Sequence, residues 1–161
     1  MAAEQALRGV LQFGSHVIPR AQVFLLTPLS FAFTNRKPIL PGHVLVATRR
    51  PVERFQDLST EEVGDLFHCA HRVAPVISRI FGGTSLTISV QDGPDAGQTV
   101  KQVHVHIIPR RPGDFQRNDD IYHELEEHDS GVGSSEEGKF RSHKEMTDEA
   151  ARLAVYFPDP H

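Results

Sequence analysis

Short β-prone segments recur along the chain, and in two of them apolar and polar residues alternate, which is the pattern of a β-strand with one buried face. Val23–Leu26, Phe31–Thr34 and Val44–Thr48 are β-prone runs that turns containing Pro or Gly separate from one another. Such punctuation predicts an antiparallel meander rather than β-α-β units. Thr84–Gln91 alternates apolar and polar residues and predicts a further, half-buried strand.

Helices are predicted in three other places. Ser59 and Glu62 form a capping-box pattern, and apolar residues then recur at helical intervals as far as Ile80. Pro75 lies inside this pattern and predicts a kink or a break there. A second capping-box pattern begins at Ser142. The predicted helices cover about Ser59–Ile80, Ile121–Glu127 and Ser142–Phe157.

The total length and composition indicate one ordinary globular domain. The chain has 161 residues, of which 39% are hydrophobic and 24% charged. We expect a flexible start over residues 1–12, a single domain over residues 13–157 and a short tail over residues 158–161. Residues 130–139 are rich in Gly, Ser and Glu and predict a mobile loop inside the domain.

Charge and cysteine content narrow the location and the partners. The net charge of −4 gives no general attraction to nucleic acid or to an anionic membrane. We find no apolar run of the roughly 18–20 residues that a membrane span requires, and no secretory signal at the start. Cys69 is the single cysteine, so an internal disulfide is excluded and a reducing compartment is expected. We expect a cytoplasmic protein, with the nucleus as a second location.

The segment from Val100 to Pro109 predicts a strand with two different faces. One face can enter the core, while the other displays polar side chains, successive ones about 7 Å apart. Pro109 cannot donate to a sheet ladder and predicts the end of the strand. The apolar face carries Val103, Val105 and Ile107, and the polar face carries Gln102, His104 and His106.

Two histidines on one strand face allow three interpretations. They can be ordinary exposed or hydrogen-bonded core residues. They can share a metal ion, for which His43, His16 or Cys69 would supply a third ligand, although the spacing selects none of these. Alternatively, His104 is a nucleophile for phosphorus, because a neutral imidazole is available near pH 7. His106 would then donate a hydrogen bond to the phosphoryl oxygens.

The loop before this strand suits an anion. Gly97 allows backbone N–H groups to approach a phosphate closely, and Thr99 adds a hydroxyl. A simple connecting turn is the alternative. The chain has neither a Walker sequence nor the G-x-S-x-G elbow of serine hydrolases, so neither P-loop nor serine chemistry is indicated.

Together these motifs resemble the histidine triad superfamily, and more narrowly the fragile histidine triad proteins, which are dinucleoside polyphosphate hydrolases. The likeness rests on Gln91–Pro94, Gly97–Val100 and Gln102–Ile108, and covers most of Phe13–Phe157. It implies an α+β fold with an antiparallel sheet of about five strands, a long helix and a C-terminal helix. It also implies a homodimer across which the sheet is extended.

The resemblance further implies cleavage of diadenosine triphosphate to AMP and ADP through a covalent adenylyl-histidine. It assigns the nucleophile to His104, the last triad position to His106 and an upstream active-site position to His43. Mg²⁺ or Mn²⁺ accompanies the phosphates in the family, and no tightly bound protein metal is expected. Tyr122 matches a tyrosine that is phosphorylated in some relatives. Substrate-contacting positions match His16, Asn35, Gln91, Gly97, Gln98, Thr99, Val100 and His106.

One position departs from the family pattern, because Gln102 replaces the first histidine of the triad. Glutamine can donate and accept hydrogen bonds but cannot carry a proton at neutral pH. We favour an active hydrolase because His104 and His106 remain. Two alternatives stay open: a dinucleotide-binding signalling module with weak or no turnover, and a related nucleotidyl enzyme that acts on phosphoramidates or adenylyl sulfate. Nucleic acid is not expected as a partner, since no basic or zinc-finger segment is attached.

Overall fold

The computed structural model describes residues 9–128 and 140–158. The predicted mobile loop at 130–139 and the outermost residues of both predicted ends lie outside the described residues. The strands are β1 (Val10–Phe13), β2 (His16–Pro19), β3 (Val23–Leu26), β4 (Ser30–Thr34), β5 (Val44–Thr48), β6 (Ser85–Ser89) and β7 (His104–Arg110). The helices are α1 (Thr60–Ile80), α2 (Asp120–His128) and α3 (His143–Ala154).

Five of the strands form one sheet in the order β3-β4-β5-β7-β6, and all neighbours are antiparallel. The predicted meander and the α+β class are therefore confirmed. The N-terminal prediction is wrong over residues 10–12, which belong to a separate β1-β2 hairpin. Leu11 and Phe13 are buried in an apolar cluster with Phe31 and Phe33, and this tertiary packing orders the segment.

The long helix α1 covers one face of the sheet. Its N-terminus has the predicted capping box between Ser59 and Glu62. Leu66, Val73 and Ile77 then pack against apolar side chains of β5 and β7. The break predicted at Pro75 does not occur, because the helix continues to Ile80. Pro75 and His71 are on the exposed side of the helix, where water can bind the His71 carbonyl that lacks an N–H partner.

Pro109 does not end the His strand, contrary to the sequence prediction, because β7 continues to Arg110. The Arg110 carbonyl accepts a hydrogen bond from Thr84 on the β6 side. Since backbone polar groups alternate along an antiparallel strand, the Pro109 nitrogen faces the other side. On that side the pairing with β5 begins only at Val44, opposite Ile107. No ladder hydrogen bond is therefore lost at the proline.

The two remaining helices close the other sides of the molecule. Helix α2 buries Ile121 and Leu125 against Ile108, as the predicted short helix would. Helix α3 begins with the predicted capping box at Ser142, although it ends at Ala154 rather than near Phe157. Among the described residues, none of the helices combines the length and apolar character that a membrane crossing needs.

Candidate active site

Strand β7 places the candidate histidines His104 and His106 inside the molecule rather than on its surface. The cross-strand register sets His104 opposite Ala47, and sets His106 between Leu45 of β5 and Ser89 of β6. The polar faces of β6 and β7 therefore lie on the same side. His104 and His106 are only 2% and 1% exposed. Their rings must accordingly find hydrogen-bond partners within the protein or in a ligand.

The orientation of His104 is fixed by the backbone that precedes it. Its Nδ1 lies 2.7 Å from the main-chain carbonyl of Gln102. A carbonyl can only accept, so Nδ1 carries the proton and the lone pair is on Nε2. The Phe13 and His104 rings form a T-shaped pair, with 5.0 Å between centroids and 88° between planes. The tautomer with its proton on Nδ1 is the one that nucleophilic attack by Nε2 requires.

A second chain of hydrogen bonds fixes the tautomer of His106. The Ile39 N–H donates to Nδ1 of His43 at 3.0 Å, so the proton of a neutral His43 is on Nε2. That Nε2 lies 2.9 Å from Nδ1 of His106. His106 then accepts at Nδ1 and carries its own proton on Nε2. The buried His43 thus prepares His106 as a hydrogen-bond donor.

His128 is a further imidazole beside His43 and His106, and sequence reasoning missed it. Its ring centroid lies 4.9 Å from that of His43 and 5.5 Å from that of His106. Its Nε2 is 2.7 Å from the Lys37 carbonyl and 3.2 Å from Nδ2 of Asn35. His128 is the last residue of α2, far from the triad in sequence, and carried no pattern that would have identified it.

The predicted phosphate loop lies beside the cluster, under α2. Gly97 has a φ of 89°, and a Cβ added there would sit 3.5 Å from Cα of Glu126. The left-handed φ is what requires a glycine here, since an added Cβ would meet α2 only at ordinary van der Waals distance. The amide of Gln91 contacts the Ser89 hydroxyl at 3.3 Å, and Thr99 is exposed at the loop surface.

The same loop is attached to the segment before α1. Asp92 accepts hydrogen bonds from the Phe55 N–H and from Nε of Arg54. These bonds lower the pKa of the Asp92 carboxyl, so it stays ionised at neutral pH. The side chain of Gln98 accepts from Gly93 N–H at 2.7 Å and donates to the Glu53 carbonyl at 2.8 Å. In this conformation the amide of Gln98 supports the loop.

The other predicted site residues are more peripheral. His16 is exposed in the β1-β2 hairpin, 6.4 Å in ring centroids from Phe13. Val100 packs partly against the hairpin cluster. Tyr122 is 60% exposed on α2.

Cys69, considered as a metal ligand, is buried in the α1 core instead, where burial raises the pKa of its thiol to about 12. Across residues 9–128 and 140–158, we find no group of three or more His, Cys, Asp or Glu arranged to hold a metal ion.

The fold and the paired imidazoles define the class of protein. The model of the HIT domain matches residues 14–113, so this chain belongs to the histidine triad (HIT) family. It is 44% identical over 147 residues to the bis(5'-adenosyl)-triphosphatase of Dictyostelium discoideum, with 91% of this chain and 93% of the relative covered. These similarities place the chain in the fragile histidine triad branch.

Two further relatives support this assignment. The bifunctional bis(5'-adenosyl)-triphosphatase/adenylylsulfatase of Arabidopsis thaliana is 44% identical over 149 residues, with 90% of this chain and 83% of the relative covered. The crystal structure of Plasmodium falciparum diadenosine triphosphate hydrolase in complex with cyclomarin A aligns with a TM-score of 0.74 and 32% identity. That alignment covers 91% of this chain and 83% of the other.

Proposed function

We propose that this protein is a dinucleoside polyphosphate hydrolase that cleaves diadenosine triphosphate to AMP and ADP. The observation that carries the proposal is the hydrogen bond from Nδ1 of His104 to the Gln102 carbonyl, which leaves the lone pair on Nε2. The names of the Dictyostelium and Plasmodium relatives supply the substrate class.

The proposed reaction has two displacements at the same phosphorus. Nε2 of His104 attacks the α-phosphorus, and the P–O bond to ADP breaks with its electron pair leaving on ADP. The adenylyl-imidazole formed in this way carries positive charge, which the Gln102 carbonyl stabilises through the Nδ1 proton. Water then attacks the phosphorus, the P–N bond breaks toward Nε2, and AMP leaves. The proton from water passes to solvent.

His106 and His43 support the transfer by position and charge. We assign to the Nε2 proton of His106 a hydrogen bond to a non-bridging phosphoryl oxygen, where negative charge increases in the transition state. His43 acts through His106, because it is bonded to Nδ1 of that ring. The loop from Gly97 to Val100 would offer backbone N–H groups to the remaining phosphates.

A divalent cation would enter this site with the substrate. The cluster consists of imidazoles and amides, whereas Mg²⁺ and Mn²⁺ prefer sets of oxygen ligands. We therefore propose that the phosphate oxygens, rather than a preformed protein cage, hold the cation. There it would neutralise charge on the leaving ADP.

Incubation of the purified protein with diadenosine triphosphate and separation of the products test the function. We expect equimolar AMP and ADP, with turnover that a His104→Asn variant lacks. Absence of turnover in the wild type at saturating substrate with Mg²⁺ would reject the hydrolase.

Specific observations support tests of two alternative functions. The Arabidopsis relative is also named an adenylylsulfatase, so adenylyl sulfate belongs in the substrate panel together with phosphoramidates. The missing first triad histidine and the exposed Tyr122 would suit a binding module whose output is the nucleotide complex. Tight binding with negligible turnover would favour that module over the hydrolase.

We further propose a homodimer in which the sheet continues through β6. This strand is at one end of the sheet order, and its Ile88 is 50% exposed. An exposed edge strand with an apolar side chain favours pairing with another strand. An Ile88→Lys variant should run as a monomer in light scattering, whereas the control Val155→Lys should keep the wild-type mass. A wild type that is itself monomeric would contradict the proposal.

We also propose a cytoplasmic location, extending to the nucleus, on the basis of the single buried thiol. Imaging of a fluorescent fusion tests this location, and a secreted fusion would contradict it.

A further inference from the structure

Gln102, the residue in place of the first triad histidine, has a completely buried side chain with three hydrogen bonds to the main chain. Its Nε2 donates to the Gln12 carbonyl at 3.0 Å and to the Thr48 carbonyl at 2.6 Å. Its Oε1 accepts from the Gly14 N–H at 2.9 Å. One amide therefore joins the β1-β2 hairpin to the end of β5. We call these three bonds the Gln102 clamp.

An imidazole could not form the same set of bonds. A neutral histidine offers one donor and one acceptor, so it would leave one of the two carbonyls without its side-chain partner. A protonated histidine offers two donors and no acceptor, so it would leave the Gly14 N–H without an acceptor. Glutamine has two N–H donors and an acceptor on the same planar group, which matches the two carbonyls and the one N–H. The replacement is thus fitted to this pocket.

The hairpin that the clamp holds forms a wall around the nucleophile. Phe13 forms T-shaped ring contacts with both His104 and Phe33, each with 5.0 Å between ring centroids. The turn at Gly14 is so close to the next loop that an added Cβ would be 2.7 Å from Cγ1 of Val100. At the same time the main-chain carbonyl of Gln102 binds Nδ1 of His104. A single residue thus holds both the nucleophile and the wall beside it.

We infer that Gln102 is a positioning residue, whose side-chain amide fixes the β1-β2 hairpin over His104 and so shapes the nucleotide site. The kinetic part of this inference rests on the proposed hydrolase function. The hairpin part does not. Its main consequence is that Gln102→His, which restores the family pattern, impairs this protein instead of improving it.

The test combines amide hydrogen exchange of residues 9–19 with steady-state kinetics on diadenosine triphosphate. Gln102→Met removes all three bonds at similar side-chain length. Gln102→Asn keeps an amide but shortens the side chain by one methylene, so it provides a milder variant should the methionine fail to fold. Gln22→Met is the control, because Gln22 is also buried and its amide forms a hydrogen bond with His143 of α3 instead.

Loss of a buried hydrogen bond should speed local opening of the hairpin by roughly tenfold. We expect exchange in residues 9–19 to rise by about this factor in Gln102→His, which loses one bond, and by at least this factor in Gln102→Met, which loses all three, with α1 unchanged. We expect KM to rise by about tenfold and kcat to fall less, since binding geometry is lost before chemistry. Gln102→Asn should fall between these variants and the wild type, and Gln22→Met should leave hairpin exchange and KM unchanged.

Three results would overturn the inference. Wild-type or better kcat/KM in Gln102→His would show that an imidazole serves equally well. Faster hairpin exchange without any change in KM or kcat would leave a clamp that positions nothing. Unchanged hairpin exchange in Gln102→Met would disprove the clamp itself. The last result can be read even if the wild type has no turnover, so failure of the proposed function and failure of the clamp are distinguishable.

Discussion

The two faces of β7 are equally buried but are stabilised in different ways. Val105 and Ile107 face α1, where close packing is sufficient and no polar atom needs a partner. His104 and His106 face the other way, where hydrogen bonds at Nδ1 determine which ring nitrogen carries the proton. Burial alone therefore does not distinguish core from site. The two faces differ in the quantity that a substitution should lower first. For the core face it is the free energy of unfolding, and for the histidine face it is kcat.

The largest effect is expected from His104→Asn, which removes the nucleophile. Turnover should fall by roughly 10⁴- to 10⁶-fold, as for other residues that form the covalent intermediate. Affinity for the intact dinucleotide should stay within a few fold. Rapid-quench kinetics and equilibrium binding measure the two quantities. His68→Asn, at an exposed histidine of α1, is the matched control. Residual turnover near the wild-type level would remove His104 from its role.

His106→Leu should lower kcat by about 10²- to 10³-fold, the range for loss of one preorganised donor to a developing oxyanion. His43→Leu should lower kcat less, because His43 acts through His106. Steady-state kinetics with each variant measures this order. A larger loss in His43→Leu than in His106→Leu would contradict the assigned hydrogen-bond chain.

On the opposite face, Ile107→Ala should reduce the free energy of unfolding by about 2–5 kcal/mol, because it leaves a cavity beside α1. The kcat of the folded protein should stay within a few fold of the wild type, although Ile107 is adjacent to His106. Urea unfolding and kinetics at low temperature measure the two effects. A loss of kcat as large as that of His106→Leu would remove the distinction between the faces.

Arg110, at the far end of the histidine face, offers a test in pH. Its guanidinium pairs with Asp114 at 2.7 Å and holds the pKa of that carboxyl at about 2. Because the folded pKa lies below the ordinary 3.8, the pair stabilises the fold above that pH and loses its contribution as pH falls toward 2. Asp114→Asn should lower the free energy of unfolding by about 1.5–3 kcal/mol at pH 7.

Urea unfolding of the wild type and Asp114→Asn between pH 7 and pH 2 measures this dependence. The difference between the two proteins should shrink steadily below about pH 4. A difference that is independent of pH would show that the carboxylate charge is not what stabilises this end of β7.

The smallest effect is expected at Cys69, which lies in the α1 core. Burial raises the pKa of its thiol to about 12, so the reactive thiolate is scarce at neutral pH. Alkylating reagents at pH 7.5 should leave both the thiol and turnover unchanged until the protein is unfolded. Mass spectrometry of the treated protein checks this. Rapid labelling of the native protein would contradict the buried position.

Local patterns predicted the main strands, the long helix and both capping boxes, because these depend on neighbours in sequence. The β1-β2 hairpin was missed because its strands are four residues each and gain order from distant aromatic rings. The side-chain hydrogen bonds of Gln102 could not be predicted from the sequence either. Two of its partners, Gln12 and Thr48, are 90 and 54 positions away.

The site was predictable only in part for the same reason. His104 and His106 stand two residues apart on one strand, and the resemblance to a known family added His43. His128 joins them only in the folded chain, where α2 packs on Ile108 and the His128 ring contacts that of His43. Motif spacing contains no information about that contact.

The central claim is that His104 becomes bonded to a mononucleotide during turnover. Acid quench within the first turnover of radiolabelled diadenosine triphosphate, followed by peptide mapping, tests it most directly. We predict a transient adenylyl group on the peptide that spans β7, attached at His104, with a burst of ADP before AMP appears. Simultaneous release of AMP and ADP with no labelled peptide would mean direct attack by water, and would contradict the account.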